Sequence, residues 1–181
     1  MSPARSHPGD DGTTGMLGEG RLPKYAPRIE TLGALDEASA ALGLARALTG
    51  SPATRTLLMA IQRDLYAIMA EAAATPGNAG KIKKLENERL DWLESQVHEL
   101  EASVPIPQDF ILPGDSLPGA ALSLARATIR RAERHTAGLV DRKEMDGTII
   151  LPYLNRLSLA CFLLELAENR TAGQDTSLAK K

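Results

Sequence analysis

Apolar residues recur along this chain at steps of three and four, the period of one helix face. Ile29, Leu32, Leu35, Leu42 and Leu48 mark a first helix from near Arg28, with Asp36 and Glu37 off the apolar stripe. Gly50-Ser51-Pro52 breaks it and starts a second, with Ser51 as N-cap and Pro52 at the first helical position. Leu58, Ile61, Leu65, Ile68 and Ala72 carry that helix to Thr75-Pro76. A polar stretch from Gly77 to Lys84 leads to a third helix on Leu90, Leu93, Val97 and Leu100, which stops before Pro105 and Pro107. The fourth begins near Ser116, holds Pro118 in its first turn and runs to about Val140, with Leu117, Ala121, Leu124 and Thr128 as its repeating positions. Ile150, Leu154, Leu157, Cys161 and Leu164 describe a fifth, ending near Asn169. No strand-like alternation competes, so the expected class is all-α, a five-helix bundle.

The first 26 residues break this pattern. Glycines at 9, 12, 15, 18 and 20 and several prolines leave no helical period, so a flexible glycine-rich N-terminal arm is expected over 1–26. The bundle domain then spans 27–173, and 174–181 is expected as a disordered tail. A chain of 181 residues holds one domain with a real core. Aromatic content of 3% beside abundant Ala and Leu favours close-packed helices over a sheet. A formal charge of −2 argues against nucleic acid as the main partner. The single cysteine, Cys161, excludes an internal disulfide framework and fits a reducing compartment. No apolar run approaches the roughly 20 residues that cross a bilayer, and no signal-peptide core is present, so a cytoplasmic protein with no membrane partner is expected.

Candidate chemistry begins on the fourth helix. At about 100° per residue, Arg126, Arg130 and Glu133 fall on one face. Two guanidiniums and a carboxylate there are costly to bury unless an anion meets them, and planar guanidiniums bind phosphate bidentately. The alternative is a solvated face with helical ion pairs. The arm carries Gly9-Asp10-Asp11-Gly12-Thr13-Thr14-Gly15, whose freed backbone and hydroxyls suit a phosphate, although a surface loop has the same composition. It is no Walker A loop, lacking Gly-Lys-Ser/Thr, and no EF-hand, lacking the closing Glu. Phe110-Ile111-Leu112-Pro113-Gly114 is either a staple closing the bundle end or the apolar wall of a pocket. Asn155 and Arg156 flank the stripe of the fifth helix. His7, His98 and His135 make no metal-ligand spacing, and no nucleophile–base pair is visible. An enzyme built this way works by positioning and electrostatics.

Taken in order, six blocks resemble the PduO-type ATP:cob(I)alamin adenosyltransferases. They are Gly-Asp-Asp-Gly-Thr-Thr at 9–14, Pro27-Arg28-Ile29-Glu30 with Leu35-Asp36-Glu37, Ala74-Thr75-Pro76, Phe110 to Gly114, Arg130-Arg131-Ala132-Glu133-Arg134, and Leu154-Asn155-Arg156-Leu157-Ser158. The resemblance runs from about Gly9 to Gly173. It implies a homotrimer with active sites between subunits, transferring the adenosyl group of ATP to cob(I)alamin and releasing triphosphate. Reduced cobalt is then the nucleophile, attacking the 5′ carbon. By the same resemblance Gly9, Asp10, Gly12, Thr13 and Thr14 fold over ATP, and Arg130, Glu133 and Asn155 contact the nucleotide, with Glu133 at its Mg2+. Arg126 pairs with Asp36 across the subunit interface, and Phe110 occupies the lower face of the corrin, where excluding the axial ligand makes cobalt(II) easier to reduce. A reductase supplying electrons and an adenosylcobalamin-dependent enzyme receiving the product are the implied protein partners.

Three positions depart from the family pattern. His7 or Ser6 stands where the arm usually has a Lys serving the phosphates, so that His7 is a candidate ATP contact; Asp115 follows Leu112-Pro113-Gly114 in place of a second Gly, and Leu159 replaces the Asp that closes Asn-Arg-Leu-Ser-Asp. These leave a second reading beside the enzyme, a catalytically weakened relative that holds corrinoid or nucleotide as a binding module.

Overall fold

A computed structural model describes residues 7–180 of the chain. Ser6 and the other residues of the first six, and Lys181, lie outside it. Five helices form the bundle: α1 (Pro27–Leu48), α2 (Pro52–Ala73), α3 (Asn87–Ser103), α4 (Leu117–Asp141) and α5 (Ile150–Thr171). Their starts follow the sequence chemistry. Ser51 accepts a hydrogen bond from the Thr54 amide (3.2 Å) and Ser116 accepts from the Gly119 amide (3.1 Å), each satisfying an orphan donor of its helix N-terminus. Prolines occupy the first turns of α1, α2 and α4, where no intrahelical N–H is needed.

The helix α1 packs against α2 and α4, while α5 packs against α3 and α4. Leu35 and Leu42 of α1, Leu58, Ile61, Leu65 and Ile68 of α2, and Tyr153 and Leu154 of α5 are fully buried. A polar knot ties three helices through this core. Asp64 of α2 receives two hydrogen bonds from the Arg89 guanidinium (2.9 and 2.7 Å) and one from the Tyr153 hydroxyl (2.6 Å). The same guanidinium lies 3.9 Å from the centroid of the Trp92 ring. With the carboxylate fully partnered, its burial is tolerable.

Three expectations need correction. On α4 the inward stripe is Ala121, Leu122, Ala125, Ile129, Ala132, Thr136 and Leu139, whereas Leu117 and Leu124 face outward. Large apolar residues misled the phase reading: alanines line this seam so that α1 and α5 approach closely. Next, α5 is long and apolar enough to cross a bilayer by length and composition, but most of it is buried inside the bundle, as befits a core helix. Finally, the arm holds a small antiparallel hairpin, β1 (Thr13–Gly15) with β2 (Arg21–Pro23), in register Thr14 opposite Leu22. Three-residue strands between glycines are too short to show alternation. The hairpin lies at the C-terminal end of α2, where Leu17 bridges Ala74.

Candidate active site

A cavity of about 520 Å³ opens on the side of the bundle between α4 and α5. Arg126 and Arg130 enter it from α4, one helical turn apart; Asn155, Leu159 and Phe162 enter from α5 at steps of four and three, so they share a face. Ser158 adds to that wall, and Gln108, Asp109, Phe110 and Ile111 form the rim ahead of α4. The seam of small residues on α4 dictates this arrangement. With Ala125, Ile129 and Ala132 turned inward, positions 126 and 130 fall at the margin of the packed interface. Both phenylalanines of the chain therefore border one cavity.

The electrostatics are lopsided. The Nε of Arg126 is buried and has no hydrogen-bond partner among the described residues. Arg130 is exposed and makes no ion pair among them. Its neighbour Arg131 pairs with Glu37 of α1. Behind Arg126 sits Glu165, 1% exposed. Burial pushes its carboxyl above the usual carboxylate range; the nearby Ser123 hydroxyl and the charge of Arg126 pull back, Asp115 adds to the rise, and neither carboxylate oxygen has a hydrogen-bond partner among the described residues. Cys161 is also buried, and its thiol is pushed up to about 12, chiefly by that burial. It belongs to the core and offers no nucleophile.

At the cavity edge Glu133 accepts a hydrogen bond from the Asn155 amide (3.3 Å). The Asn155 side-chain Oδ1 accepts from Arg156 (3.1 Å), whose Nε also meets Glu94 of α3 (3.1 Å). This chain of contacts fixes the amide between two helices. Glu133 at the edge and Asp109 on the rim are too few for a protein cage around a metal, and no group of three or more His, Cys, Asp or Glu assembles among the described residues. A hard divalent cation there would have to draw most of its ligands from a bound anion and water.

Of the residues singled out from sequence, Arg126, Arg130, Asn155 and Phe110 meet in one cavity, with Glu133 bonded at its edge. Asp36 and the arm do not join them within a single chain. Asp36 is exposed on α1 and makes no ion pair among the described residues. The arm residues 9–14 do not line the cavity. Gly9 (φ +99°) and Gly12 (φ +75°) take left-handed conformations that favour glycine. Asp11 accepts from the Thr13 amide (3.0 Å) and hydroxyl (2.8 Å), which hold its carboxyl below the usual range, while Asp10 accepts from the His7 amide (2.7 Å). His7 is exposed. An arm ammonium comes instead from Lys24, whose Nζ donates to the Gly9 carbonyl (2.9 Å).

Sequence reasoning missed Phe162, Glu165 and Lys24. Phe162 was reachable by the same arithmetic, seven residues beyond Asn155, and Glu165 stood out as a charge one turn past Cys161 on an apolar stripe. Lys24 is brought to Gly9 only by the hairpin. Leu159, noted as a departure, makes the cavity wall more apolar than a carboxylate would.

Residues 5–168 match the family model described as cobalamin adenosyltransferase. The chain is 37% identical over 169 residues to a corrinoid adenosyltransferase of Bacillus subtilis, covering 91% of this chain and 86% of that one. It is 38% identical over 167 residues to a corrinoid adenosyltransferase of Mycobacterium tuberculosis, covering 89% and 86%. It is 35% identical over 167 residues to the corrinoid adenosyltransferase PduO of Salmonella typhimurium, covering 92% of this chain but 49%, about half, of that longer one. A phenylalanine-to-alanine variant of the PduO-type ATP:corrinoid adenosyltransferase from Lactobacillus reuteri, solved with cobalamin and ATP, superposes with a TM-score of 0.86 at 29% identity, covering 96% and 97% of the two chains.

Proposed function

The chain belongs to the cobalamin adenosyltransferase family, and on that premise we propose that its two substrates meet in the cavity between α4 and α5. It is a corrinoid adenosyltransferase, moving the 5′-deoxyadenosyl group of ATP onto cob(I)alamin with release of triphosphate. The observation that carries the site assignment is the meeting of two guanidiniums, one amide and an exposed phenylalanine around one cavity.

The chemistry explains what the cavity lacks. The cobalt(I) lone pair attacks C5′ of ATP, the C5′–O bond breaks, and its electron pair leaves on triphosphate. No proton is abstracted, so no general base is needed; none of the ten lining residues is Cys or His, and the Ser158 hydroxyl is engaged by the Asn155 carbonyl. The protein's part is to bind, orient and stabilise charge. Arg130 meets the phosphates, Asn155 orients the nucleotide, and Phe110 covers the corrin and excludes water from cobalt. Glu133 and phosphate oxygens would hold magnesium, which when bound neutralises part of the leaving charge.

A single chain holds only part of this machinery. The arm sits at the far end of the bundle, Arg126 has a bare buried Nε, and Leu44 and Leu48 of α1 are exposed, as are Leu117 and Leu124 of α4. These support a homotrimer in which Asp36 of the partner subunit meets Arg126 and the arm of one subunit, residues 9–14, closes over ATP bound by the next. The reading carries with it a cytoplasmic enzyme, an electron-donating reductase and an adenosylcobalamin-dependent consumer of the product. The test is optical. The protein, ATP, magnesium and chemically reduced cobalamin should give the spectrum of the cobalt–carbon product at a rate proportional to protein. A spectrum that remains that of unalkylated cobalamin would refute it.

A further inference from the structure

The C-terminal residues, expected as a disordered tail, hold the rim of the cavity. Gly173 (φ +69°) ends α5 in the left-handed conformation, with Gly173 N bonded to Arg170 O (3.0 Å) and Gln174 N to Asn169 O (3.0 Å), which turns the chain back on itself. Leu178 then forms an antiparallel bridge with Ile111. The Leu112 amide donates to the Ser177 carbonyl (2.8 Å), and the Ala179 amide donates to the Phe110 carbonyl (2.7 Å). Beside the bridge, the Asp115 carboxylate accepts from both the Ser177 amide (2.9 Å) and the Ser177 hydroxyl (2.8 Å).

This pairing matters because the Phe110 side chain is 88% exposed. Among the described residues little packing holds the ring, so its direction is set by its backbone. In an extended segment alternate side chains point to opposite faces. Ile111 turns in to pack against the core, and Phe110 and Leu112 turn out. A one-residue slip of the strand would reverse that choice. The tail fixes the register on one side. On the other, the Ser116 hydroxyl of the α4 cap donates to the Asn169 side chain (2.6 Å), anchoring the segment to the end of α5. Gly114 (φ +129°) makes the turn that brings Asp115 round to Ser177, and Asp115 itself needs no such conformation. The carboxylate that departs from the family's second glycine thus has a partner.

We propose that Asp115 and Ser177 are positioning residues of the transferase, a clasp through which the C-terminal tail holds Phe110 over the corrin side of the cavity. The proposal rests on the reading of the cavity as the corrinoid site. Its test uses full-length variants with cob(II)alamin, ATP and magnesium, reading the electron paramagnetic signature of four-coordinate cobalt(II) without reductant and, once a chemical one-electron reductant is added, separate KM values. Asp115→Ala should lower the four-coordinate fraction severalfold and raise the KM for cobalamin on the order of tenfold, as expected for lost hydrogen bonds to a charged group. The KM for ATP should stay within about twofold, because the clasp does not touch the phosphate end of the cavity. Ser177→Ala, which keeps the amide donor, should fall between, and Ser177→Thr should restore the parent's values. Asp115→Ala combined with Ser177→Ala should be little worse than Asp115→Ala alone, the non-additivity of a shared contact. A parent that alkylates cobalamin, alongside variants that match it in corrinoid KM and cobalt(II) signature, would overturn the clasp alone. Equal rises in both KM values would also overturn it, reducing the tail to a structural element. A parent that neither binds nor alkylates cobalamin would overturn the functional reading, and the clasp with it.

Discussion

Arg130→Ala is expected to slow adenosyl transfer by on the order of 100-fold or more, the scale seen when a preorganised charge stabiliser is removed. Arg130 lines the cavity, one turn along α4 from Arg126, and spends its charge on no ion pair among the described residues. As C5′–O breaks, negative charge grows on the leaving triphosphate, and a guanidinium at that point stabilises the transition state more than the ground state. Arg130→Lys keeps the charge but loses the planar fork, so it should recover only part of the rate. Helix content and melting temperature should stay near the parent's, since the residue is exposed and Ala is a good helix former. Transfer to chemically reduced cobalamin, followed optically over a range of ATP concentrations, measures all of this. Parent-like turnover in Arg130→Ala would remove it from the phosphate site.

Phe110→Ala should separate the two oxidation states of the corrinoid. From cobalt(II) with a one-electron chemical reductant supplied, transfer should fall on the order of 100-fold, because without the ring water reaches the lower axial position and the metal becomes harder to reduce. From pre-reduced cobalt(I), which carries no axial ligand to exclude, the loss should be only a few-fold. Stability should change by less than about 1 kcal/mol, well short of the roughly 3–5 kcal/mol of a truncated core phenylalanine, because the ring is 88% exposed. Parallel assays from the two oxidation states, with a thermal melt, decide the matter. Equal losses in both together with a large fall in melting temperature would make Phe110 an ordinary packing residue.

What the sequence makes legible depends on how local each feature is. Helix starts were legible because they are local: Ser51-Pro52 and Ser116 cap α2 and α4 as their side chains dictate. The inward face of α4 was not, since its seam is alanine and the leucines that dominate the pattern, Leu117 and Leu124, point outward. Arg126, Arg130 and Glu133 could be grouped because helical periodicity fixes which residues of one helix share a face; Asn155, on α5, joins them only through the family resemblance. Phe110 could be singled out as an aromatic between prolines, but its cavity needed the helix pairing. The arm hairpin, the approach of Lys24 to Gly9 and the clasp of Asp115 on Ser177 join residues across turns whose geometry depends on glycines at positive φ. The spacing of the letters does not encode such contacts. Asp36 and Arg126 mark the limit of one chain: neither makes an ion pair among the described residues, and sequence resemblance alone joins them across an interface.

On the proposed reading, ATP and corrinoid react in the cavity of Arg126, Arg130 and Phe110 by displacement at C5′. A single-turnover experiment tests it most directly: excess protein mixed with ATP labelled in the adenosine and in the terminal phosphate, magnesium and cobalt(I), then quenched at intervals and analysed for every phosphate product. Intact triphosphate and adenosylcobalamin should appear together at one rate and in a 1:1 ratio, and Arg130→Ala should slow both alike. Release of phosphate or diphosphate ahead of the cobalt–carbon bond, or alkylation that Arg130→Ala leaves untouched, would contradict it.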